Sequence, residues 1–155
     1  MALEDDIALL SQVSLFQDMD RDVLRLIAFA AEMRTLRAGD VLFRKNELSD
    51  SGFVVARGSI ALIDGDANNV QGIAGPGTLL GELALVAETR RPVTAVAREH
   101  AALLRLSRAM FRRTLDEYPR LAQKLLADLR LRVTTLSGEL MQVKEALQRI
   151  DRRGE

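Results

Sequence analysis

Gly75-Pro76-Gly77-Thr78-Leu79-Leu80-Gly81-Glu82-Leu83-Ala84-Leu85-Val86-Ala87-Glu88-Thr89-Arg90-Arg91-Pro92-Val93-Thr94-Ala95-Val96-Ala97 decides how the rest of the chain is read. Gly75 and Gly77 bend the backbone, and Gly81 opens a short apolar run with helical propensity. Glu82 stands at the start of that run, a basic pair closes it, and a strand-like run follows. The pattern describes a small anion cradle. Amides at the start of a helical turn have no partner within the turn and carry partial positive charge, so they attract phosphate. A glycine lets ligand atoms approach the backbone, having no Cβ. Arg91 can offer a planar fork of donors to two phosphate oxygens. Glu82 would repel a phosphate, so its place beside one makes sense only if it accepts from another part of the ligand, such as a sugar hydroxyl. Each residue also has a plainer reading. Acids suit helix starts in general, and a single arginine is commonly solvated, as Arg90 is expected to be because strand neighbours face opposite ways.

Gly81-Glu82-Leu83-Ala84-Leu85, followed after five residues by Arg91, resembles the phosphate-binding cassette of the cyclic-nucleotide-binding domain family, which includes catabolite activator protein and the regulatory subunits of protein kinase A. The resemblance implies that Glu82 accepts a ribose 2′-hydroxyl. It gives the cyclic phosphate to Arg91 and to the backbone at Gly81, Leu83 and Ala84. The implied ligand is cAMP or cGMP, with no other cofactor. One departure stands out. The family places a small residue with a free N–H after its arginine, and this chain has Pro92, which has no N–H. A charge-assisted hydrogen bond contributes roughly 1.5–3 kcal/mol, so affinity falls about ten- to a hundredfold unless the Val93 N–H or the Thr94 hydroxyl replaces the lost donor.

Around this stretch the chain divides into a helical segment over 1–32, a strand-rich core over 33–106 and helices over 107–155. Leu3, Ile7 and Leu10 make one stripe of a first helix over 3–11. Ser14-Leu15-Phe16 reads as a turn with two apolar anchors. Asp20 is the expected N-cap of a second helix whose stripe is Val23, Leu24, Ile27 and Ala31, widened by Leu26 and Ala30. Residues 9–16 and this helix are also similar to the family's N-terminal segment. Strands are expected at Met33–Leu36, Val41–Arg44, Gly52–Ala56, Ser59–Ile63, Asn69–Ala74, Val93–Ala97 and Ala101–Leu106. Gly39-Asp40, Arg57-Gly58 and Asp64-Gly65-Asp66 supply turns. Strands about ten residues apart with glycine turns indicate a sandwich or barrel. The resemblance makes this a mostly β, α+β fold: an antiparallel β-roll or jelly roll with N-terminal helices and a long C-terminal helix. The family often has a glycine in the loop after Phe43, where this chain has Lys45-Asn46-Glu47. Asn tolerates left-handed backbone better than most residues.

Ser107 is the expected cap of a helix over Arg108–Asp116, and Pro119 suits the first turn of the last one. On that helix Leu126, Val133, Leu140 and Leu147 alternate with Ala122, Leu129, Leu136, Val143 and Ile150 at spacings of three and four. These are the a and d places of a coiled coil. Glu139 and Lys144 then fall at g and at the following e, as in a parallel two-stranded coil. Gly138, at an outward f place, weakens the helix by up to about 1 kcal/mol. Leu121 and Leu125 add a second apolar face, so the first turns are expected to lie on the chain's own core. The expected partner is a second copy of the chain, held through this helix. The resemblance places a ligand's base against the same helix, near Arg132 and Ser137. Leu136 stands where catabolite activator protein has the first member of a polar pair, which leaves the base undetermined.

Lysine plus arginine and aspartate plus glutamate are equal at 22 each, so no overall charge draws the chain to nucleic acid or a membrane surface. With no cysteine and one histidine, His100, neither thiol catalysis nor a transition-metal site is expected. No nucleophile–base pair, Walker loop or zinc spacing is present, so the expectation is not an enzyme. Glu4, Asp5 and Asp6 read as a helix start. The mildly basic tail Arg149-Ile150-Asp151-Arg152-Arg153 places cations where a helix end favours them. With no apolar stretch near 18 residues and no signal pattern, the chain is expected to be soluble and cytoplasmic. The expected function is a regulatory sensor acting on an unidentified downstream protein. The alternatives are a dimeric scaffold of the same fold without ligand, for which Pro92 argues, and a truncated transcription regulator lacking its DNA-binding part. The coiled-coil reading has a direct consequence. Light scattering is expected to show a dimer that weakens when the chain is cut before Gly138, and an undiminished dimer after that cut would remove the coiled coil.

Overall fold

A computed structural model of the chain describes residues 2–66 and 68–133. Helix α1 (Ala2–Ser11) buries Ile7 and Leu10 as its stripe requires, and Leu9 beside them. A 3₁₀ turn at Ser14–Phe16 sinks Leu15 and Phe16 into the core. Helix α2 (Arg21–Ala30) starts after Asp20, but the Asp20 side chain makes no capping bond. The backbone carbonyl of Asp20 accepts from the amides of Val23 and Leu24. The apolar stripe of α2 differs from the sequence reading: Val23, Leu24, Ile27 and Ala28 are buried, while Leu26 and Ala30 face outward. The helix packs against both α1 and α3 (Arg108–Glu117), and the direction of those two neighbours decides which edge of the stripe is covered. Arg21 and Glu4 pair across α1 and α2.

The strands are β1 (Glu32–Leu36), β2 (Val41–Phe43), β3 (Ser51–Arg57), β4 (Ile60–Ile63), β5 (Val70–Ala74), β6 (Leu79–Leu80), β7 (Thr94–Ala97) and β8 (Ala101–Ser107). They form two four-stranded antiparallel sheets, in the orders β1-β8-β3-β6 and β2-β7-β4-β5. The fold is therefore mixed α+β, with antiparallel sheets and flanking helices. Strand alternation divides the interior into two cores. Phe53, Val55 and Leu103 join Phe43, Ile60, Leu80 and Ala95 between the sheets. Val54, Leu104 and Leu106 face the other way, onto Phe16, Ile27 and Phe111 of the helical layer. The β3–β8 pair is thus covered on both faces and reads as continuous apolar runs.

Ser107 caps α3 as expected, its hydroxyl accepting from the Met110 amide at 3.2 Å. Tyr118 ends α3, and Pro119 is the first residue of α4 (Pro119–Val133). Leu121 and Leu125 are buried in the helical core. The remaining coiled-coil positions from Leu136 onward lie outside the described residues. Strand β6 is the element the sequence reading missed. Two residues carry no alternation, and Leu79–Leu80 becomes a strand only by pairing with Val54 and Phe53.

Gly58 has φ +80°, and a Cβ there would lie 2.5 Å from the His100 carbonyl oxygen. Left-handed backbone alone costs an L-residue about 1–2 kcal/mol, and the clash is with main chain rather than with a mobile side chain. Gly58→Ala is expected to lower unfolding stability by about 2 kcal/mol or more, measured by urea denaturation; an unchanged midpoint would contradict this turn geometry.

Candidate functional site

The site is built where β6 ends. Pairing of Leu80 with Phe53 brings the chain alongside β3, and Gly81 then turns with φ +79°. A 3₁₀ turn follows at Leu83–Leu85, closed by bonds from the Ala84 amide to the Gly81 carbonyl and from the Leu85 amide to the Glu82 carbonyl, at 3.0 and 3.1 Å. Ala84 and Leu85 are buried and hold the turn against the helical layer. Arg91 arrives on a separate segment, laced to the loop after β2. The Asn46 amide donates to the Arg91 carbonyl, the Arg91 amide to the Glu47 carbonyl, and the Ser49 amide to the Thr89 carbonyl, at 2.8, 2.8 and 2.9 Å. Asn46 has φ 72°, the one positive φ outside glycine among the described residues. Asparagine thus occupies the left-handed position anticipated for this loop.

Arg91 is 5% exposed, as is Glu82. The Arg91 Nη2 donates to the Ser51 carbonyl at 2.7 Å. Its guanidinium lies over the Phe43 ring, 4.2 Å from the centroid, with Phe53 at 5.8 Å. A Cβ on Gly81 would come within 2.5 Å of Nη1, so the guanidinium rests against this glycine. Nε and Nη1 have no hydrogen-bond partner among the described residues. Burial lowers the Arg91 pKa from its ordinary value, with Asp50 and Glu47 opposing that fall, and arginine nonetheless stays cationic. A hydrogen bond from the Ser51 hydroxyl and the neighbouring Arg105 guanidinium hold the Asp50 carboxyl below its usual range, against the opposing effect of burial.

A cleft of about 190 Å³ opens here. It is lined by Gly81, Glu82, Leu83 and Ala84 of the turn, by Thr89, Arg90, Arg91, Pro92 and Val93 of the segment that follows, and by Phe43, Leu62, Leu79 and Leu80. The fold therefore brings Gly81, Glu82, Leu83, Ala84, Arg91 and Val93 to one cleft. Thr94 stands apart from this lining: its hydroxyl accepts from the Lys45 amide at 2.9 Å. Arg90 is part of the lining, but its guanidinium donates to the Asn46 carbonyl. Arg132 lies near the end of α4 with its side chain outside what is described, and Ser137 lies outside the described residues. Sequence reasoning missed Phe43, Ser51, Thr89 and Arg108. The Arg108 Nη1 donates to the carbonyls of Ser49 and Ala84, at 2.9 and 3.3 Å, which ties the start of α3 to the turn. None of the four carries a local signal. A strand phenylalanine reads as core, and an arginine at a helix start reads as solvated. No cluster of metal-ligating side chains occurs among the described residues, and no helix among them is long and apolar enough to cross a membrane.

Residues 33–118 match the cyclic nucleotide-binding domain family, and the chain belongs to it. A cyclic nucleotide-gated potassium channel of Mesorhizobium japonicum is 35% identical over 115 residues, covering 74% of this chain and 31% of the channel. The cyclic AMP receptor protein of Thermus thermophilus is 30% identical over 141 residues, covering 88% of this chain and 65% of the receptor. Among solved structures, a cyclic nucleotide-binding-like protein from Brucella abortus superposes with a TM-score of 0.65 at 40% identity, covering 72% of this chain and 98% of that one. The N-terminal domain of a Streptomyces coelicolor transcriptional regulator superposes with a TM-score of 0.73 at 29% identity, over 82% and 92% of the two chains. The chain thus spans less than two thirds of the curated relatives' length.

Gly81 meets two constraints at once, a positive φ and contact with the Arg91 guanidinium. Gly81→Ala is expected to cost about 1–2 kcal/mol of stability and to displace Arg91. Denaturant titration reads the first effect and a crystal structure of the variant the second; an unstrained variant with Arg91 unmoved would show that the turn tolerates a side chain.

Proposed function

We propose that the cleft binds a cyclic nucleoside monophosphate, cAMP or cGMP, and that the chain is a sensor reporting occupancy through its C-terminal helix. The observation that carries this reading is Arg91: a buried cation with two unsatisfied nitrogens beside a glycine turn. A buried donor left unmade costs about 1–3 kcal/mol, more when charged. A bound monoanion would supply the missing acceptors, helped by amides at the start of the turn. Nε and Nη1 are shielded by the turn and the rings, so the anion engages them with a shift of Arg91 or of the turn. Glu82, across the same cleft, is the proposed acceptor for the ribose hydroxyl. Thr89 lines the cleft, and its hydroxyl has only a 3.3 Å contact with the Ser49 hydroxyl. It is better placed than Thr94 to offset the donor lost at Pro92.

In this reading the two sheets of 33–106 form the family's β-roll around the ligand. Residues 1–32 cover its outer side, and 107–155 carry the dimer helix and the base contact, for which Arg132 and Ser137 are the candidates. The ligand biases that helix by its difference in affinity for two positions of the turn and α3. The cyclic nucleotide in the names of the channel and the receptor supports the ligand class. A downstream protein, rather than DNA, is the proposed recipient of the signal.

Calorimetric titration is expected to give dissociation constants in roughly the micromolar range with cAMP or cGMP. Arg91→Ala is expected to weaken binding by about a hundredfold or more, with circular dichroism confirming the fold. Absence of heat with either nucleotide at millimolar concentration would favour the ligand-free scaffold.

A further inference from the structure

We propose that Phe43 is a positioning residue of this cleft, its ring face holding the Arg91 guanidinium in register while the guanidinium edges serve Ser51 and the ligand. The inference rests on the reading of the cleft as an anion site. It starts from a geometric problem. A long arginine side chain has many rotamers, and here its guanidinium is held by a single hydrogen bond, from Nη2 to the Ser51 carbonyl. One bond fixes one nitrogen and leaves the rest of the group to be held by packing.

The second restraint is aromatic. The guanidinium carbon lies 4.2 Å from the Phe43 ring centroid, well inside the reach of a cation–π contact. Phe43 is itself nearly buried, and its ring tilts against Phe53 at 6.2 Å. The bed under Arg91 is therefore fixed by the core between the sheets. The ring lies under the guanidinium carbon and has no lone pair to offer its N–H groups. The ring leaves the edge donors Nε and Nη1 without an acceptor; both are buried, and an anion meets them once Arg91 or the turn shifts. A carboxylate in the place of Phe43 would instead occupy those edges and compete with phosphate. Phe43 thus answers two demands that conflict for a polar partner: it stabilises a desolvated charge, and it does not consume the donors.

The test uses the full chain and two readouts. In calorimetry with cAMP and cGMP, Phe43→Leu keeps an apolar core side chain and removes the ring; it is expected to weaken binding about five- to thirtyfold. Phe43→Tyr keeps the ring and is expected to stay within about threefold of the original. In an Arg91→Ala background, Phe43→Leu is expected to change affinity less than twofold, because the cation it serves is gone. Equal affinity of Phe43→Leu and the original chain would overturn the proposal, as would an equal loss in both backgrounds. The second readout needs no variant of Phe43. In the ligand-free chain, NMR is expected to place the Arg91 side-chain protons upfield of ordinary arginine positions through the ring current of Phe43; ordinary positions would overturn the proposal. That readout also separates the two readings. Upfield protons with no nucleotide binding would remove the cyclic nucleotide while leaving the Phe43–Arg91 contact standing.

Discussion

A buried guanidinium organises this molecule. Arg91 sits at 5% exposure between the Ser51 carbonyl, the Phe43 ring and the bare backbone of Gly81. Removing a charge from water is unfavourable unless its donors are met. Here one donor is met by main chain, and the charge rests over an aromatic ring. The surroundings must therefore be rigid, and both sheets and the segment after the 3₁₀ turn contribute to them. Phe43 comes from β2, Ser51 from β3, Gly81 from the end of β6, and Arg91 from the strand-like segment before β7.

The same residues connect the cleft to the helices. Ser51 begins β3, and the carbonyls just before it are held by Arg108: the Arg108 amide donates to Asp50 and its guanidinium to Ser49. Arg108 also reaches the Ala84 carbonyl in the 3₁₀ turn. A movement at Arg91 or at the turn is thus mechanically adjacent to the first residue of α3, and α3 packs on α4. These contacts run without a break from the cleft through the start of α3 to α4.

Much of this was legible in the chain because it is written in local chemistry. The strands at 51–57 and 101–107 are largely apolar runs between turn residues, and they appear where that pattern places them. Ser107 and Pro119 mark helix starts through hydrogen-bonding and φ preferences that need no partner element. Asn46 is left-handed for the same kind of reason. Gly81, Glu82 and Arg91 were singled out because a glycine, an acid and an arginine at that spacing serve few purposes together. The stripe of α2 was misjudged at Leu26, Ala30 and Ala28 because burial on a helix flank depends on which neighbours cover it. Strand β6 was invisible because two residues carry no period.

The sequence alone determined the α+β class, most of the element order and the glycine–acid–arginine spacing at 81, 82 and 91, since backbone propensity and side-chain chemistry are properties of short segments. Tertiary structure decided what those residues touch. It put Phe43, forty-eight positions before Arg91, under the guanidinium. It brought Thr89 rather than Thr94 to the cleft, and it turned Arg108 from a helix-start cation into a tie between β3 and the turn. Each of those facts depends on two sheets and a helix layer meeting in space, and no segment of the chain carries that information by itself.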